Sequence, residues 1–361
     1  MSLASSGSQN LYRNIDEEKG TGELCCALEP AELDRALHIG FEQLALAEVC
    51  VSVDSSQARE CKALEDAGFH PGTGPTRSAC LVRMALHEPE WRAARGLGPK
   101  VALMQPQFLP WLGYLELIAR ADVFVFLDDF QFLRRSWGQR NRLFVVRGKV
   151  GMVTLPVAHE DNQEATFLEL REAESTVWRK KLLNLLQQNY RGAPYGEAVL
   201  SLVGEWFAES YQNIAELEIA LIRKIAAYLG LNQRFVRSST LRITGLRRSC
   251  RLQAILEKLG AGTYISAHGS FPYMQADGVF PLANLPVYFQ NHLPREYPQH
   301  GSTEFVARLS SLDALANLPP DQVRNRLRGT SRWQSWEERA AEENAAASQA
   351  HLTLPPASPH C

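Results

Sequence analysis

The sequence predicts an α/β protein built on a mostly parallel sheet with helices on both faces, and three observations lead there. Short apolar runs alternate with helix-period segments across residues 100–329, as expected of strands joined by crossover helices. Five of those runs end in polar clusters: VALM before Gln105; VFVFL before Asp128 and Asp129; FV before Arg237, Ser238 and Ser239; TYI before Ser266 and His268; PVYF before Gln290, Asn291 and His292. In a parallel sheet such clusters gather along the carboxyl edge, where open α/β folds bind their ligands. Finally, 361 residues are many for one core, so two domains with tails are expected.

Taken in order, residues 1–28 are polar and are expected to be a disordered N-terminus. Leu33, Ala36, Leu37, Phe41 and Leu44 have helical spacing behind an acidic start. Val49, Val51 and Val53 alternate as in a half-buried strand, residues 58–67 return to helical period until Gly68, and residues 81–86 suit one more strand. These elements make a small domain over 29–95, with a linker at about 93–99. The larger domain, 100–329, has helical segments at 114–121, 176–190, 198–209, 214–229 and 249–259, and a hairpin insertion over 142–156 around Gly148 and Gly151. Residues 337–361, rich in Ala, Glu and Pro, carry too few large apolar groups for a core and are expected to be a disordered tail.

A hydrophobic fraction of 45% is ordinary for a globular protein. No run of about eighteen apolar residues occurs, so no membrane span is expected. The start MSLASSGSQN has neither a basic stretch nor an apolar one, which predicts a cytoplasmic protein. Seven cysteines, an odd number without paired metal-ligand spacing, read as free thiols, and no metal site is expected of them. The net charge of -2 hides two basic stretches. Arg134, Arg135, Arg140, Arg142, Arg147 and Lys149 follow one another without an acid, and six arginines lie between Arg234 and Arg251, again without one. The guanidinium fork matches phosphate and carboxylate geometry, so an anionic partner is expected: a nucleotide, a coenzyme or a nucleotide-linked sugar. A plain solvated face is the alternative.

Of the strand-end groups, His268, Asp128 and Asp129 are the catalytic candidates. His268 follows a strand in a Ser-Ala-His-Gly-Ser loop and could exchange a proton near pH 7. Successive strand residues face opposite ways, so one of the two aspartates can enter the site, as a general base or as a holder of magnesium beside a phosphate. Gln105, Gln131, Arg140, Arg142, Ser238, Ser239, Ser266 and, second to His268, His292 are candidates for substrate binding.

Two stretches resemble known families. LHIGFEQLALAEVCVSVDSSQARECKALEDAGFHPG followed by SACLVRMALHEPEW resembles the C-terminal half of a GNAT-type acetyltransferase, with KALEDAGF following that family's helix and turn. The glycine-rich turn that would bind coenzyme A pyrophosphate at a helix start is missing before Glu29. The resemblance therefore implies a half-domain used for packing or dimerisation. From Val101 to about Asp313, the blocks QPQFLPWLGY, DVFVFLDDFQF, QRNR, SSTLRITG, TYISAHGSFPY, EYPQ and LSSLD resemble the WbqC-like family, associated with polysaccharide and specialised-metabolite biosynthesis. Through those blocks Tyr273, Tyr297 and Gln299 become candidates for binding a sugar or a pantetheine chain. FLPWLGYLELIARAD is also similar to the first loop and helix of nucleotidyltransferases, with Trp111 and Tyr114 at the two histidine positions of their phosphate-binding motif. That similarity implies a Rossmann-like (nucleotidyltransferase/HUP-like) sheet and adds Tyr114 to the binding candidates.

Together these features predict a biosynthetic transferase. It would bind a phosphate-bearing donor, with magnesium where that donor is a nucleotide, and form an amide or ester on a small acceptor such as an amino sugar. Two alternatives are an ATP-dependent ligase working through an acyl-adenylate and a non-catalytic RNA or aminoacyl-tRNA binding module. A carrier protein and a second copy of the chain are the other candidate partners.

Overall fold

The computed structural model describes residues 11–16, 19–25, 28–73, 80–146, 148–158, 164–173, 177–327 and 333–352. A five-stranded mixed sheet comes first: β1 (Tyr12–Asp16), β2 (Thr21–Leu24), β3 (Glu48–Asp54), β4 (His70–Pro71) and β5 (Leu81–His87), in the order β1-β2-β3-β5-β4. It is covered by α1 (Pro30–His38), which runs on into a π-helical turn at Ile39–Gln43, and by α2 (Ala58–Asp66); α3 (Glu88–Ala94) follows. Within the stretch expected to be disordered, residues 12–24 thus supply two strands. Tyr12 is buried and its hydroxyl donates to Ala36 O at 2.7 Å, while Leu24 is fully buried. Two buried side chains are enough to dock an edge hairpin, and the exposed Arg13, Asn14 and Ile15 between them hid it.

The larger unit holds β6 (Lys100–Met104), α4 (Leu112–Arg120), β7 (Val123–Phe126), the hairpin β8 (Arg140–Val146) and β9 (Lys149–Thr154), and α5 (Val177–Tyr190), α6 (Gly196–Ala208) and α7 (Ile214–Tyr228). It continues through β10 (Arg234–Arg237), α8 (Arg248–Lys258), β11 (Thr263–Ser266), α9 (Phe271–Asp277), β12 (Val287–Phe289), α10 (Ser311–Asn317), α11 (Pro320–Leu327), β13 (Gln334–Ser335) and α12 (Trp336–Leu352). The sheet order is β10-β7-β6-β11-β12-β13, parallel except for β13. Alternation divides each strand between two cores, because successive side chains point to opposite faces. Ala102, Phe124, Phe126, Ile265 and Tyr288 pack with α4 to α7 and α10, whereas Val101, Leu103, Val123, Val125, Val287 and Phe289 pack with α8, α9 and Trp336.

The tail expected to be disordered from 337 is helical through 352. Trp336 packs on Phe271 and Phe289, and Arg339 pairs with Glu342 and Glu343 one turn on. One aromatic anchor together with (i, i+3) and (i, i+4) ion pairs fixes a helix that bulk composition does not suggest.

The small unit docks on the amino edge of the main sheet through buried charges. Arg92 pairs with Glu42 and donates to Gly98 O and, at 3.4 Å, to Thr263 Oγ1, while Lys100, only 2% exposed, pairs with Glu88. Arg120, at the end of α4, donates to Phe41 O and Glu42 O. Gly98 and Gly262 meet backbone to backbone there: a Cβ on Gly98 would lie 2.1 Å from Gly260 O.

Candidate functional site

The five polar clusters do share one edge. Counted along the chain, the parallel strands have the spatial order 3-2-1-4-5, so the direction of the crossovers reverses between β6 and β11. A crevice opens at such a reversal because the helices leaving its two strands lie on opposite faces. Gln105 follows one of these strands, and Ser266 and His268 close the other. With neighbouring strands about 4.8 Å apart, the ends of β7 and β11 are roughly 10 Å apart with Gln105 between them.

On the β7 side the aspartates are engaged. Asp128 is fully buried and accepts from Arg237 Nε (2.6 Å), Ser239 N (3.0 Å), Ser239 Oγ (2.7 Å) and Ser238 Oγ (3.1 Å). A carboxylate offers about four lone-pair directions, so Asp128 is saturated. Neither the general-base role nor a magnesium role fits it, and Ser238 and Ser239 serve to hold it rather than a substrate. Asp129, at the next position, takes Arg251 and shares the proton of Ser238. Partly exposed, it keeps some accepting capacity. Among the described residues no group of three or more His, Cys, Asp or Glu side chains could hold a metal ion.

The basic stretches are less free than their composition suggests. Arg237 and Arg251 neutralise the two aspartates, Arg248 pairs with Asp277, and Arg142 donates to Ala307 O at 3.2 Å. Arg140, half-buried at the start of β8, has no side-chain partner among the described residues; Arg147 lies outside them. Gln131 is exposed, and its carbonyl accepts from Gln105 Nε2 at 3.0 Å. Cys25, Cys50, Cys61 and Cys250 are free thiols.

Several expected ligand groups are committed elsewhere. Tyr114 is buried, and its hydroxyl donates to Gln105 O, bracing the turn after β6 instead of facing a ligand. Ser266 is buried and bonds Tyr264 and Ser270. Tyr297 and Gln299 both donate to buried Asp313, which also takes the Tyr190 hydroxyl; burial raises the Asp313 pKa against these bonds. A cleft of about 340 Å³ opens beside them, but Glu296 and Glu304 line it, an unfavourable setting for an anion. Tyr273 is exposed on α9.

His268 is exposed, with no hydrogen-bond partner among the described residues. Partial burial, then the Arg339 cation, push its imidazole below the usual value. His292 stands in a different setting. It is buried beyond β12, and its Nδ1 lies 2.7 Å from Glu116 Oε2. Gln290 donates to the same oxygen at 2.6 Å and to Gly113 O at 2.8 Å. Sequence reasoning missed Glu116, although an acid inside the apolar helix LGYLELIA was a visible signal.

Fold and strand ends together define an α/β protein whose polar groups converge on one edge of a parallel sheet. The WbqC-like protein family matches residues 105–325, and the chain belongs to that family. It is also similar to an uncharacterized protein of Mycobacterium tuberculosis, with 28% identity over 233 residues, 62% of this chain and 97% of that protein. The family match begins at Gln105, so the small N-terminal unit lies outside it. No helix of the described residues is long and apolar enough to cross a membrane.

Proposed function

We propose that the chain is a biosynthetic transferase that binds a phosphate-bearing donor in the crevice over β6 and β11 and forms an amide or ester on a small acceptor. The reversal of strand order between these two strands carries the reading, since it leaves Gln105 on one side and His268 with His292 on the other. The 3-2-1-4-5 order also supports a Rossmann-like assignment. Arg140 and the exposed Arg134 and Arg135, on the segment that follows β7, are suited to the donor's anionic part. The engagement of Arg237 and Arg251 by aspartates counts against a continuous basic stripe, and so against the RNA-binding alternative. We read the small unit, on its likeness to half a GNAT domain, as a packing module; its docking on the amino edge fits that use.

Calorimetry with coenzyme A, UDP-N-acetylglucosamine and ATP, with and without magnesium, tests the reading. We expect micromolar binding of at least one, weakened about tenfold by Arg140→Ala. Binding of ATP alone and only with magnesium would favour the adenylate route. No binding of any of the three at millimolar concentration would overturn the proposal.

A further inference from the structure

Beyond β12 a buried imidazole and a buried carboxylate meet. Glu116 is 2% exposed and His292 is 7% exposed. Among the described residues, Oε2 of Glu116 is met by the Gln290 amide and by His292 Nδ1. The Gln290 contact is unambiguous: its amide nitrogen also donates to Gly113 O, so both N–H groups are in use and its orientation is fixed. An ionised carboxylate can only accept, so the ring nitrogen facing it carries the proton. On the ring's side Trp111, just before α4, meets the imidazole edge to face at 5.0 Å. His292 is therefore held by Trp111 at the start of α4 and by Glu116 within it, one strand away from the strand reversal. No described group bonds its second nitrogen, Nε2.

We propose that His292 is the general base of the carboxyl edge and that Glu116 is its positioning residue, an inference that rests on the crevice reading above. In the resting state the neutral ring has its proton on Nδ1 and its lone pair on Nε2. As the acceptor's amine or hydroxyl bonds the donor's acyl carbon, its proton passes to Nε2. The bond from that carbon to the leaving group breaks, and the leaving group departs with the electron pair. Glu116 stabilises the imidazolium so formed, and the proton then passes to the leaving group, restoring the base. The exposed His268 has no such partner to set its tautomer.

Two measurements on the full chain test this without knowledge of the substrate. In protein labelled with nitrogen-15 at histidine, with the His292 signals assigned by their loss in His292→Gln, we expect the neutral Nδ1–H tautomer. In Glu116→Leu we expect the Nε2–H form to prevail. Diethyl pyrocarbonate should carbethoxylate His292 in the folded wild type, and about tenfold or more slowly in Glu116→Leu. If that variant fails to fold, the wild-type tautomer and reactivity decide alone. An Nε2–H tautomer in the wild type, or a His292 that reacts only after denaturation, overturns the proposal. Coenzyme A, UDP-N-acetylglucosamine or ATP with magnesium should slow the modification. A correct tautomer with no protection by any of them would keep the dyad and sink the donor-binding reading alone.

Discussion

At the amino edge of the main sheet, Glu42, Glu88 and Arg92 of the small unit and Lys100 of β6 are paired with one another; at the carboxyl edge, His268, Arg140 and Nε2 of His292 have no partner among the described residues. Charged side chains stand at both edges. At the amino edge the small unit excludes water, and a charge can stay there only with an opposite charge and hydrogen bonds around it. At the carboxyl edge Asp128 is saturated, Asp129 keeps some accepting capacity, and His268, Arg140 and Nε2 of His292 stay unengaged among the described residues. One edge pairs its charges among themselves, whereas the other leaves several polar groups open among the described residues.

Breaking the amino edge should have the largest effect. Arg92→Ala strands Glu42, and we expect a loss of about 3–5 kcal/mol in urea unfolding, most of it recovered by the double variant Glu42→Leu, Arg92→Met. A loss below about 1 kcal/mol would mean that water reaches the cluster, and the contrast between the edges would fail.

Next comes Glu218 on α7, fully buried and with both carboxyl oxygens unpartnered; burial pushes its pKa well above the usual value of 4.5. The folded state keeps a proton that the unfolded chain releases. Its cost to stability is thus absent below the unfolded value and grows, by up to about 1.4 kcal/mol per pH unit, until the folded pKa is reached. Glu218→Met should raise neutral-pH stability by about 1–3 kcal/mol, the cost of an unsatisfied buried polar group, and flatten the fall of the melting temperature as pH rises above the unfolded value. An unchanged pH slope would show that the carboxyl is solvated.

Asp128→Asn should cost about 2–3 kcal/mol, because an amide cannot accept all the donors that Asp128 receives. A fluorimetric melt shifted by less than a degree would return Asp128 to the list of ligand groups. Smallest of all, His268→Ala should leave stability within about 0.5 kcal/mol, since the side chain is exposed and without a partner among the described residues. A larger loss would place it in the packing of α12.

The positions of the strands followed from local pattern. Apolar runs of two to five residues ending in polar clusters located β6, β7, β10, β11 and β12, and helical period located α4 to α8, because burial on two faces of a sheet leaves a direct imprint on residue order. Composition misled at both ends of the chain, where Tyr12 and Trp336 each anchor a segment that is otherwise polar. The site was legible as a set of candidates and not as an arrangement of roles. Asp128 and His268 look alike as strand-end groups. What separates them is that Arg237, Ser238 and Ser239 arrive beside Asp128 from a strand more than a hundred residues away, and among the described residues nothing comparable reaches His268. Glu116 and His292 are 176 residues apart and meet because β12 lies near the helix that follows β6. The sequence by itself determined which residues end strands and which faces of the elements are apolar, since both depend on near neighbours. Only the tertiary structure decided which polar groups are neutralised and which stay open, because hydrogen bonding and desolvation depend on the partners that folding brings within about 3 Å.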